Sequence, residues 1–87
     1  MTRLMTPHET LRAARTALNE GHIDAVFGLA DTLADEPDAE IQSRLAALLR
    51  EAGEADPEAL SVFLAANAFR LPRATVVEAG KALPEAG

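Results

Sequence analysis

Apolar residues recur along this chain at helical spacing, and small capping residues, Pro and Gly interrupt the pattern at intervals. Leu11, Ala14 and Leu18 fall on one face. Ahead of them, Thr6 can cap, Pro7 fits the first helical position and Glu9 completes a capping box. Gly21 can close the turn in the left-handed conformation, so a helix is predicted over 7–20. Ile23, Val26, Phe27, Ala30 and Leu33 predict a second helix over 22–34, with Asp24, Gly28, Asp31 and Asp35 on its other side. Asp35-Glu36-Pro37-Asp38 is a stop and a restart, with Asp35 as the cap. Ile41, Leu45, Leu48, Leu49 and Ala52 then predict a third helix over 36–52, ended by Gly53, with Glu40 and Arg44 paired on the outside. Asp56-Pro57 opens a fourth helix over 57–69. Its Leu60, Val62, Phe63, Leu64 and Phe69 spread around the whole circumference, as in a helix that is central or covered by a partner. Leu71-Pro72 breaks it, and a fifth helix over 73–83 turns Val76, Ala79 and Leu83 inward before a fraying end at Pro84 to Gly87.

These elements predict an all-α fold, a compact bundle of about five short helices in a single domain over residues 1–87. The helix pairs beginning near residues 22 and 57 loosely resemble helical-hairpin solenoid units, an architecture that needs about three or more repeats. Alanine and leucine dominate, and the aromatics are Phe27, Phe63 and Phe69, so the core is thin and its helices pack closely. There is no cysteine, hence no disulfide and no thiolate metal site. His8 and His22 lack the converging partners that zinc requires, and an EF-hand counted from Asp35 would place Glu40 where Gly is needed. No metal and no cofactor are expected. Without a nucleophilic Cys, a Gly-rich phosphate loop or a recognisable triad, the chain is not expected to be an enzyme. No apolar run approaches membrane-spanning length and residues 1–9 lack a signal-peptide core, so a cytoplasmic location away from membranes is expected.

The net charge of −6 changes the picture because it is uneven. Residues 1–18 carry Arg3, Arg12 and Arg15 against Glu9, residues 19–58 carry eleven acids against Arg44 and Arg50, and residues 59–87 are nearly balanced. Such a middle repels nucleic acid and attracts basic surfaces. The leading expectation is therefore a small non-catalytic regulator or inhibitor. Asp24, Asp31, Asp35 and Asp38 would form an acidic face toward a protein partner with a basic surface, by class analogy with DNA-mimicking anti-CRISPR or anti-restriction proteins. Phe63 and Asn67 are the candidate interface of a homodimer, since a buried Asn can set register between helices.

Residues 57–83 also resemble a helix-turn-helix. Ala66 stands where the first helix needs a small residue, Leu71 takes the apolar turn position, and Val76 and Ala79 pack the second helix back. Leu71-Pro72-Arg73-Ala74-Thr75-Val76 resembles the opening of a bacterial recognition helix. The resemblance implies a dimeric DNA-binding transcriptional regulator in which Arg70, Arg73, Thr75 and Lys81 meet nucleic acid. Arg70 stands where such turns commonly have Gly, and Val77 and Glu78 are poor base readers, which puts this alternative second. A homo-oligomeric assembly module is a third reading. The capping pattern itself is testable: Asp56→Ala should lower stability by about 1 kcal/mol in urea denaturation.

Overall fold

Helix-forming runs alternate with Pro, Gly and Asp punctuation closely enough that the backbone has little choice. The computed structural model describes residues 5–83, which form α1 (Pro7–Asn19), α2 (Ile23–Thr32), α3 (Ala39–Ala55), α4 (Pro57–Asn67) and α5 (Arg73–Gly80). Among the described residues there is no strand, so the fold is the expected all-α bundle. Arg3 and the predicted fraying at Pro84 to Gly87 lie outside the described residues.

The caps explain where the helices begin and end. Thr6 Oγ1 accepts from Glu9 N while Glu9 Oε1 accepts from Thr6 N, closing the expected capping box. Gly21 has φ 79°, and His22 N donates to Ala17 O while Gly21 N donates to Leu18 O. That pair of bonds is a Schellman motif, which stops α1. The restart after α2 differs from expectation. Asp38, not Asp35, caps α3 by accepting from Glu40 N and Ile41 N, so α3 starts at Ala39. Asp56 caps α4 through Ala59 N, as expected. α4 ends at Asn67 rather than 69, and α5 ends at Gly80 rather than 83, where successive i→i−3 bonds tighten the last turn.

Packing is organised around α3, which touches all four other helices. Contacts run from α1 to α2, from α2 to α4 and from α4 to α5, whereas α1 and α5 do not meet. The four helices therefore form an arc around α3 that is open on one side. Put another way, α1, α3 and α5 make one row and α2 and α4 a second, the pattern by which helical hairpins stack. Ile41, Leu45 and Leu49 of α3 are wholly buried with Leu60, Phe63 and Leu64 of α4 in one cluster, and Leu48 and Ala52 join Ala14, Ala17 and Val26 in another. Phe27 bridges the two clusters, its ring centroid 5.4 Å from that of Phe63. α4 is consequently less apolar all round than its sequence reads: Leu60, Phe63 and Leu64 are inside, while Val62 and Phe69 are exposed.

Two local features lock the arrangement. Gly53 does not end α3 but lies inside it, buried, where a β-carbon would overlap Leu60 Cδ2 and crowd Ala82 Cβ at 3.1 Å. Its missing side chain is what lets α4 approach α3. Gln42, buried at 5% exposure, donates from Nε2 to the carbonyls of Leu33 and Glu36, each at 2.9 Å, and its Oε1 accepts from Thr75 Oγ1 at 3.0 Å. One amide thus ties the end of α2, the α2–α3 loop and α5 to α3. The two interior glycines should respond oppositely to alanine. Gly53→Ala should destabilise by about 1–3 kcal/mol through overpacking, despite the better helix propensity. Gly28, with open space around it, should gain about 0.5–1 kcal/mol as Ala. Urea midpoints of the two variants check both signs.

Candidate nucleic-acid interface

The opening in the arc leaves one stripe of α3 at the surface, with Glu40, Ser43, Arg44, Ala47, Arg50, Glu51 and Glu54 exposed at helical spacing. A groove runs along each side of the stripe, and Ala47 lines both. The groove between α1 and α3, about 360 Å³, is lined by His8, Leu11, Arg12, Arg15, Arg44 and Leu48. The groove between α3 and α5, about 580 Å³, is lined by Gln42, Ser43, Ala46, Pro72, Ala74, Thr75 and Glu78 along with Pro37 and Ala39.

The cations follow the helix rows, although α1, α3 and α5 also carry Glu9, Glu40, Glu51, Glu54 and Glu78. Arg12, Arg15, Arg44, Arg50 and Arg73 all lie on α1, α3 and α5. α2 and α4 carry Asp24, Asp31 and Glu58 and no Lys or Arg. Arg15 holds Glu51 with two parallel bonds, Nη1 to Oε1 at 2.9 Å and Nη2 to Oε2 at 2.6 Å. The hydrogen bond raises the Arg15 pKa and holds the Glu51 carboxyl below the usual glutamate value. Glu78 is lowered chiefly by its bond to Lys81, at 2.9 Å, and further by Arg50 at 3.1 Å. Arg44 is only loosely paired with Glu40, at 3.9 Å. Arg12 and Arg73 have no acidic partner among the described residues, and both are exposed. Guanidinium groups arranged this way along a groove suit phosphate, whose oxygens match their planar fork.

The residues singled out from the sequence are scattered. Asp31 and Asp35 both meet Arg70, at 2.9 and 3.0 Å, so part of the expected acidic face carries its own counter-charge. Asp38 serves as the α3 cap, and Asp24 lines a separate groove with Asp56 and Glu58 between α2 and α4. The four acids do not form one face, because α2 and the loop after it point them in different directions. Phe63 is 7% exposed, stacked in the core against Phe27, so it is not an open interface residue. Asn67 is also buried: Nδ2 donates to Phe63 O, and Oδ1 accepts from Arg70 Nη1. Its polar groups are satisfied within the chain and leave nothing to set a dimer register. Ala66, expected to face the next helix, is exposed, one position away from the buried Asn67. Thr75 is buried on Gln42, out of reach of nucleic acid. Arg70 is saturated by Asp31, Asp35, Asn67 and the Asp31 carbonyl, with its pKa raised chiefly by the bond to Asp35. Lys81 bonds Glu78, and Arg73 alone of this group has no acidic partner among the described residues.

Charge summed over consecutive residues conceals the arginines along the open stripe. A window over 19–58 mixes the cations of α3 with the acids of α2 and of the loops. The usable signal was the complete lack of Lys and Arg on two alternate helices.

Among the described residues no helix is long and apolar enough to cross a membrane, and no His, Cys, Asp or Glu cluster could hold a metal ion. No curated protein and no solved structure matches the chain. Residues 7–83, which include every helix, match the family model described as DNA alkylation repair enzyme. That match overturns the expectation of a non-catalytic inhibitor or regulator and, with it, the expectation that the chain has no enzymatic role. The absence of a recognisable catalytic motif excluded too much, because such motifs cover only a few reaction types. With nearly its whole length matched, this five-helix chain belongs to the DNA alkylation repair enzyme family.

Proposed function

We propose that the chain acts in the repair of alkylated DNA by holding the damaged duplex against the open side of α3. The observation that carries this reading is the confinement of Arg12, Arg15, Arg44, Arg50 and Arg73 to the row α1, α3 and α5. Arg12, without an acidic partner among the described residues, and the loosely paired Arg44 take phosphate oxygens first. Arg15 and Arg50 follow by exchanging Glu51 and Glu78 for phosphates as the duplex settles. The acidic α2–α4 side turns away from the DNA, so the overall negative charge orients the protein instead of preventing docking. Small and aliphatic residues in the two grooves, Ala46, Ala47 and Ala74 among them, let the sugar-phosphate backbone come close to α3.

Fluorescence anisotropy with a labelled duplex, unmodified or methylated, tests the reading. The double variant Arg12→Ala, Arg44→Ala should bind both duplexes more weakly, and the slope of log affinity against log salt should fall by about 1 for each phosphate contact removed. The wild type should deplete methylated bases from the modified duplex, and the double variant should do so more slowly at subsaturating protein. Wild-type affinity and salt slope in the double variant would rule out this face.

A further inference from the structure

The groove between α1 and α3 differs from its neighbours in the charge of its walls. His8, Arg12 and Arg15 line it from α1 and Arg44 from α3, over a floor of Leu11 and Leu48, and no acid lines it among the described residues. By contrast, Glu78 lines the groove between α3 and α5, and Asp24, Asp56 and Glu58 line the one between α2 and α4. One end is closed by Arg15 and Glu51, which join the two helices through paired bonds of 2.9 and 2.6 Å. α1 and α3 are the first helices of successive hairpins and run the same way. His8 and Arg44 each stand seven positions before that ion pair, about 10 Å back along the axis. They therefore face each other across the open end of the groove, with Arg12 one turn further in. Arg12 has no acidic partner among the described residues, and Arg44 holds Glu40 only at 3.9 Å.

Donors on two facing walls select among phosphates. An internal phosphate of an unbroken strand carries one charge and offers two free oxygens, because its other two oxygens continue the chain. A phosphomonoester carries about −1.5 to −2 charge at pH 7 and offers three acceptor oxygens, so it accepts from both walls at once. Two guanidinium forks with little or no local counter-charge match that surplus of charge and acceptors. We propose that the α1–α3 groove is a site for the terminal phosphate of a broken DNA strand, a phosphomonoester at a 5′ or a 3′ end. Arg12 and Arg44 take two of its oxygens from opposite walls, and the His8 imidazole donates to the third. This site rests on the duplex-docking reading above and narrows it: internal phosphates lie along the exposed arginines, and a strand end enters the groove.

Four labelled duplexes of one sequence serve as probes in fluorescence anisotropy. One is unbroken, and the others carry a central nick with hydroxyl groups on both sides, with a 5′-phosphate, or with a 3′-phosphate. The unbroken duplex and the two phosphorylated nicks have the same number of phosphates, so a difference among them reports the terminal group itself. The wild type should bind one phosphorylated nick on the order of tenfold more tightly than the unbroken duplex and the hydroxyl nick, the equivalent of one further charge-assisted hydrogen bond. The preferred nick identifies the strand end. His8→Ala and Arg12→Ala, both at exposed positions, should fold as the wild type by circular dichroism and should each remove most of that preference. Arg73→Ala, on α5 at the opposite flank of α3, should weaken all four probes alike and keep the preference. Equal wild-type affinity for the unbroken duplex and both phosphorylated nicks overturns the terminal-phosphate site while leaving duplex docking in place. Equally tight binding of the hydroxyl nick also overturns it, because the flexibility of the break would then be what is read. A preference that survives both His8→Ala and Arg12→Ala overturns the groove as its seat. Failure of the wild type to bind any of the four overturns both readings.

Discussion

The amide of Gln42 is the polar hinge on which the arrangement turns. It is buried on the central helix, and its nitrogen and oxygen face two segments distant in sequence. The carbonyl of Glu36 lies in the loop after α2 with no helix of its own to satisfy it, while that of Leu33 also accepts from Glu36 N in the turn that ends α2. The Thr75 hydroxyl comes from α5 and would otherwise be buried without a partner. Each such group left unpaired costs about 1–3 kcal/mol, a large fraction of what a domain of this size has to spare. Around this polar point the apolar contacts of Ile41, Leu45 and Leu49 supply most of the free energy of folding, and the close approach at Gly53 sets how near α4 lies.

That geometry has a consequence for chemistry. With α3 central and the arc of neighbours open between α1 and α5, one stripe of the most contacted helix remains at the surface. A central helix is held firmly by its many partners, so Arg44 and Arg50 are displayed on the stiffest element available. The flanking helices add Arg12, Arg15 and Arg73. Glu51 and Glu78 hold the guanidinium groups of Arg15 and Arg50 in place. Each surface pair adds little to stability, which makes the proposed exchange for phosphate inexpensive.

The other row has a different role. α2 and α4 contribute Val26, Phe27, Ala30, Leu60, Phe63 and Leu64 to the core and present acids outward. Arg70, the cation that reaches this side, is consumed in joining the α4–α5 turn to Asp31 and Asp35. The result is a molecule with two unlike faces, one with five arginines and the other with acids whose nearby cation, Arg70, is already paired.

Much of this was legible in one dimension. Periodicity, the Thr6–Glu9 capping box, the Asp56 cap and Gly21 are local signals, and local hydrogen bonding obeys them, so helix number, type and most starts followed from sequence. The apolar stripe of α3 also named its own core, because a single face needs only helical spacing to be recognised. What sequence could not settle was which residues meet across helices. Gly53 reads as a terminator but acts as a contact, since only tertiary packing brings Leu60 against it. Phe63 and Phe69 are the same residue type six positions apart, one stacked on Phe27 and the other in water. The charge balance of consecutive segments likewise concealed a surface assembled from alternate helices. Helices are built by neighbours in the chain, whereas faces, grooves and ion pairs are built by neighbours in space, and only the packing of α1 and α5 against opposite flanks of α3 brought these arginines to one side.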